Sequence, residues 1–149
     1  MIEQPFAPRD LVAHADLQAR LDTDVCLDES VVDLGDLRTM IRLGAGRVLN
    51  IKVSRMGGLT VARGRARHGT RCGHPGVVRG ECTSSASGGP RTSRCPRLPG
   101  FLLPSDVSGS DKYYESDIIT PPVTAVAGRV TVPTGPGIGP RGARRAHRP

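Results

Sequence analysis

The 149-residue sequence has no Trp, only two Phe and two Tyr. Aromatic side chains bring large buried areas to a core, so tight packing over the whole length is not expected. No apolar run approaches the roughly 18 residues that a spanning helix needs, so no transmembrane helix is expected. The opening residues, Met1-Ile2-Glu3-Gln4-Pro5, have neither the charged nor the apolar region of a secretory signal. The expected compartment is therefore the cytoplasm, with the cysteines reduced. No repeat of solenoid type is visible.

Acidic residues are missing from two places. Residues 63–97 carry eight Arg against a single acid, Glu81, and residues 140–149 carry four Arg and no acid. The formal charge of +7 therefore belongs to these two tracts, and the remainder is mildly acidic. Residues 63–97 also lack Leu, Ile, Met, Phe and Tyr, and hold Cys72, Cys82 and Cys95. So little large apolar area cannot offset the entropy of ordering, and disorder is expected there. The charge alone allows a nucleic-acid-associated protein, but no aromatic residue is available for stacking and no RGG regularity occurs. His68, Cys72, His74, Cys82 and Cys95 lack the paired close spacings of zinc fingers.

Residues 1–62 are of a different kind. Ile2-Glu3, Val25-Cys26-Leu27 and Val48 to Lys52 are short, continuous apolar strands. Helices are expected between them, over Pro8 to Leu21 with the stripe Leu11, Ala15, Leu17 and Leu21, and after Asp33 with Leu34, Leu37, Met40 and Ile41 on one face. Gly44 and Gly46 end the second helix. Gly57-Gly58 precede a third, which starts at Leu59. Strands alternating with amphipathic helices imply an α/β fold with parallel strands buried on both faces. Glu3, Asp28 and Lys52 then stand at the C-terminal ends of three consecutive strands, the rim where catalytic residues of a (β/α) barrel sit. Two carboxylates there offer hard oxygen ligands suited to Mg²⁺. A Lys beside such an ion, or buried, can act as a base near neutral pH. Farther on, Phe101-Leu102-Leu103 reads as another buried strand, and Val123 to Val132 as a hairpin turning near Gly128.

These segments resemble the enolase superfamily. Ile2-Glu3-Gln4-Pro5, Cys26-Leu27-Asp28-Glu29-Ser30 and Asn50-Ile51-Lys52-Val53-Ser54-Arg55-Met56-Gly57-Gly58 are similar to consecutive strand motifs of its muconate-lactonizing subgroup. Within that subgroup they look most like the o-succinylbenzoate synthase and N-acylamino acid racemase family. Leu98-Pro99-Gly100-Phe101 through Asp106, with Ser110 to Tyr114, is similar to the family's last strand and loop. The resemblance implies a partial TIM-type barrel, the C-terminal part of an enolase-superfamily barrel, with disordered Arg-rich tracts. It implies Mg²⁺ held by Glu3 and Asp28, and Lys52 as acid/base. The reaction would be proton abstraction alpha to a carboxylate through an enediolate, giving dehydration in menaquinone biosynthesis or racemisation of N-acylamino acids. Asn50 and Glu29 would support the site, and Asp106 and Ser108 would fall in the substrate loop. The partner would be a small carboxylate substrate, with neither membrane nor nucleic acid involved, and the family is often homo-oligomeric. The family's first metal Asp and its Lys-x-Lys strand have no counterpart in these 149 residues. Such a chain is expected to be a weak or inactive lyase or isomerase.

The expected organisation is βα units carrying the metal and lysine motifs over 1–63, a disordered tract over 64–97, the last strand, loop and C-terminal segment over 98–139, and a basic tail over 140–149. The family resemblance calls for a strand similar to VWCGGM between 63 and 97. GC-rich codons for Val77 to Gly89, regrouped out of frame, can spell most of that motif, WCGG up to Glu81 in one frame and the Met onward in the other. Residues 64–97 and 140–149 thus read as translated out of frame, the product of a disrupted gene or of a sequencing error.

Overall fold

A computed structural model describes residues 1–71, 79–81, 101, 103–104, 109–112, 115, 117, 119–132, 134 and 141–142. Its centre is a parallel sheet in the order β1-β2-β3-β4, formed by Ile2–Glu3, Val25–Leu27, Val48–Asn50 and Arg79–Glu81. The register sets Glu3 beside Cys26, Leu27 beside Leu49, and Asn50 beside Glu81. β2 and β3 are buried along their whole length, which explains their continuous apolar sequences. Val25, Leu27, Leu49 and Ile51 join Val31, Leu37, Met40, Met56 and Ala62 in one core.

Three helices connect the strands: α1 (Leu11–Arg20), α2 (Leu34–Leu43) and α3 (Leu59–Arg71). α1 starts at Asp10, whose carboxylate accepts from the Ala13 N–H at 2.9 Å. Its Leu11, Ala15 and Leu17 pack part-buried on the core, but its two fully enclosed residues are polar, His14 and Gln18. α2 opens with a capping box. The Asp33 side chain accepts from the Asp36 N–H, and the Asp36 side chain accepts from the Asp33 N–H. The Asp36 and Gly35 N–H groups hold the Asp33 carboxyl below its ordinary pKa. Gly44 ends α2 at φ +66°, a left-handed conformation that glycine adopts without steric cost. Gly46 has a separate reason. A Cβ there would lie 2.8 Å from the Val25 carbonyl oxygen.

Several expectations are corrected. The third strand ends at Asn50, because Lys52 opens a turn in which its carbonyl accepts from the Met56 N–H at 3.0 Å. Of the tract over 64–97 expected to be disordered, residues 64–71 continue α3 and Arg79–Glu81 form β4, and the rest lies outside the described residues. Ala62 and Ala66 dock α3 on the core, and Arg65 lies buried with Nη1 donating to the Met56 carbonyl at 3.2 Å. Counting only large aliphatics overlooks this docking. β4 needs only the backbone ladder that β3 offers, whatever its side chains. Phe101 packs part-buried against the core but belongs to no strand. The basic tail is not wholly a tail, because Arg141–Gly142 (β8) pairs antiparallel with Ile119–Thr120 (β5).

The hairpin forms as expected, from Ala125–Val126 (β6) and Arg129–Val130 (β7). Ala127 and Gly128 turn it at φ +48° and +72°, the two positive values that a tight two-residue hairpin requires. Among the described residues no helix is long and apolar enough to cross a membrane.

Candidate functional site

Parallel strands deliver their C-terminal ends to one rim, and the chemistry gathers there. Glu3 is the last residue of β1, Asp28 follows β2 directly, and Lys52 stands two residues beyond β3. Asp28 is 3% exposed, so its charge needs partners. Lys52 Nζ donates to its Oδ2, and Arg55 Nη1 donates to its Oδ1. Burial pushes the Asp28 carboxyl up, but the hydrogen bonds and charges of Arg55 and Lys52 outweigh it and hold the group below its ordinary pKa. Glu29 flanks the same cations, 3.9 Å from Lys52 and 3.5 Å from Arg55.

Glu3 belongs to a second contact. Asn50, 1% exposed, donates from Nδ2 to Glu3 Oε1 at 2.7 Å. Of the expected site residues, the structure thus joins Lys52 with Asp28 and Glu29, and Asn50 with Glu3. Asp106 and Ser108 lie outside the described residues.

Sequence reasoning missed Arg55, which its position within the turn after β3 brings onto Asp28. It also missed Gln4, His14 and Ser30. Gln4 accepts at Oε1 from the Asp28 and Ser30 N–H groups, at 2.9 and 3.3 Å, and its Nε2 donates to Ser30 Oγ at 2.7 Å. The available signal was the polar pair His14 and Gln18, four residues apart and so on one helix face. Gln18 does for the start of β2 what Gln4 does for its end. Its Oε1 accepts from the Val25 N–H at 2.8 Å and its Nε2 donates to the Thr23 carbonyl at 3.2 Å.

Among the described residues no group of three or more His, Cys, Asp or Glu side chains is arranged to hold a metal. The donor chemistry still suits a hard divalent ion. Mg²⁺ is commonly held by one or two carboxylates and retains several waters, and Glu3 and Asp28 end neighbouring strands.

A family model of enolase C-terminal domain-like proteins matches residues 1–144. The chain belongs to the enolase C-terminal domain-like family. Within the enolase superfamily it is similar to the o-succinylbenzoate synthase of Geobacillus stearothermophilus, with 43% identity over 141 residues covering 93% of this chain and 37% of that protein. It is similar also to the N-succinylamino acid racemase of Amycolatopsis sp, with 38% identity over 143 residues covering 93% and 37%. A crystal structure of an enolase superfamily member from Listeria innocua superposes with a TM-score of 0.85 at 33% identity, covering 95% of this chain and 38% of that one. The chain spans about 37% of the length of these curated relatives. Its α/β fold is accordingly part of the enolase-superfamily C-terminal barrel.

Proposed function

We propose that the rim abstracts a proton next to a carboxylate, with Lys52 as the acid/base group. The observation that carries this is the Lys52–Asp28 ion pair at the ends of consecutive parallel strands. The substrate class is a small carboxylate of the kind named for the relatives, an o-succinylbenzoate precursor or an N-succinylamino acid.

Glu3 and Asp28 would hold Mg²⁺, which when bound stabilises negative charge on the substrate carboxylate as the proton leaves. The Lys52 side chain is about one-quarter exposed, so it is open to solvent on one side while it pairs with Asp28 on the other. Arg55 meanwhile stays beside the carboxylates as a fixed positive charge. Asn50 holds Glu3 at its rim position, and Glu29 places a second anion near the two cations.

A single lysine serves one face of the substrate carbon, so Lys52 removes and returns a proton on the same side. The test is solvent deuterium uptake at the α carbon of an N-succinylamino acid. Slow uptake that needs Mg²⁺ and disappears in Lys52→Ala is expected. Uptake unchanged by Lys52→Ala would overturn the assignment.

The Arg-rich tracts are, on this reading, out-of-frame translation rather than a nucleic-acid surface. β4 lies inside the segment whose regrouped codons spell the motif in two pieces that meet at Glu81, which supports the reading. Resequencing the gene tests it. One-base shifts near residues 63, 81 and 97 are expected to restore the motif, and an uninterrupted frame that fails to restore it would refute the idea.

A further inference from the structure

His14 is fully buried at the start of α1, and its ring is linked through Gln4 to the turn that carries Asp28. Nδ1 lies 2.6 Å from the Asp10 carbonyl oxygen. A carbonyl only accepts, so the network assigns the proton to Nδ1. Nε2 is then the acceptor. The two groups facing it, Gln4 Nε2 at 3.2 Å and the Phe6 N–H at 3.3 Å, are both donors. The edge-on Phe6 ring, 5.3 Å away, closes this side of the imidazole.

The acceptor Nε2 of His14 agrees with the orientation that the backbone sets for the Gln4 amide. The amide nitrogen faces His14, the Ser30 hydroxyl at 2.7 Å and the Phe6 carbonyl at 3.1 Å, and its oxygen faces the Asp28 and Ser30 N–H groups. A flipped amide would set its NH₂ against two backbone donors and its oxygen against a carbonyl. Gln4 adopts φ +40°, which non-glycine residues seldom do. Such strain persists where surrounding contacts over-determine it, and it concentrates at functional sites.

We propose that His14 and Gln4 are positioning residues for Asp28, joined in a one-way hydrogen-bond chain from the Asp10 carbonyl through the imidazole and the amide to the Asp28–Ser30 backbone. The chain sets where the Asp28 carboxylate stands relative to Glu3 on the neighbouring strand. It rests on the reading of Asp28 as a cation ligand and partner of Lys52.

The test combines ring and amide NMR with Mn²⁺ titration of the full chain, at a temperature where each variant keeps its circular dichroism. The unmodified chain should show His14 protonated at Nδ1 and bare at Nε2, and the opposite tautomer would overturn the proposal without any variant. In Gln4→Leu and His14→Leu, amide exchange at Asp28 and Ser30 should quicken about tenfold or more while Leu49 stays protected. His14→Gln, which keeps an acceptor near the Nε2 position, should restore both. Mn²⁺ affinity should fall about tenfold in His14→Leu and recover in His14→Gln. Unchanged Asp28 and Ser30 exchange, or His14→Gln as impaired as His14→Leu, would contradict the positioning role. If the exchange pattern appears but Asp28→Asn leaves Mn²⁺ affinity unchanged, positioning stands and the cation-ligand reading falls.

Discussion

Asn50 on β3 reaches across β2 to donate a hydrogen bond to Glu3 on β1, at 2.7 Å. The contact ties the two outer strands of a three-strand unit together at the rim. Asn50→Leu removes the donor while keeping the branching of the side chain. The expected cost is about 1.5–3 kcal/mol in urea denaturation, the range for a lost hydrogen bond to a charged group. Mn²⁺ affinity should weaken alongside, because Glu3 loses its fixed orientation. Unchanged affinity would separate Glu3 from cation binding.

Asp28 makes stability depend on pH in a defined direction. Its pKa is lowered in the folded state, so the unfolded chain binds the proton first on acidification. The stabilisation is complete above the unfolded carboxylate value, about 4, and is lost as pH falls through the lower folded value. Urea midpoints measured downward from neutral pH should drop more steeply below about pH 4 in the unmodified chain than in Asp28→Asn. Equal slopes would mean that the two ion pairs contribute nothing.

Arg55→Met tests the ion pairs from the other side. It leaves one Asp28 oxygen without its charged donor at a nearly buried site. Stability should fall by about 1.5–3 kcal/mol, the range for a lost hydrogen bond to a charged group.

The core of the parallel sheet should behave as a real core despite the scarcity of aromatics. Leu49 is fully buried at the centre of the sheet. Leu49→Ala should cost about 2–5 kcal/mol, as large-to-small changes in packed interiors do. A cost below about 1 kcal/mol would show that residues 1–62 lack fixed packing.

Filter binding across a salt series bears on the +7 charge. No retention of DNA or RNA at physiological salt is expected. Steep salt-dependent retention would restore the nucleic-acid reading.

The parallel βα order, the Asp33 cap, the Gly44 stop and the hairpin at Gly128 were legible in the sequence, because each follows from local chemistry or apolar periodicity. So were Glu3 and Asp28 as strand-end residues, whereas Lys52, expected on the third strand, stands in the turn beyond it. His14, Gln18 and Gln4 were not. A buried polar residue carries no periodic apolar signal, and its burial is compensated by hydrogen bonds that only the folded chain supplies. Arg55 escaped for a related reason, since a surface arginine and one bound to a buried carboxylate look alike in sequence. α3 extended past its expected limit because Ala62, Ala66 and the stem of Arg65 pack without large aliphatics.

The most direct test of the account is deuterium uptake at the α carbon of a single N-succinylamino acid enantiomer, followed by NMR with chiral analysis of the recovered compound. The account predicts slow, Mg²⁺-dependent uptake with retained configuration, absent in Lys52→Ala. Uptake that survives Lys52→Ala, or that racemises the substrate at the same rate, would contradict a rim whose proton chemistry rests on this one lysine.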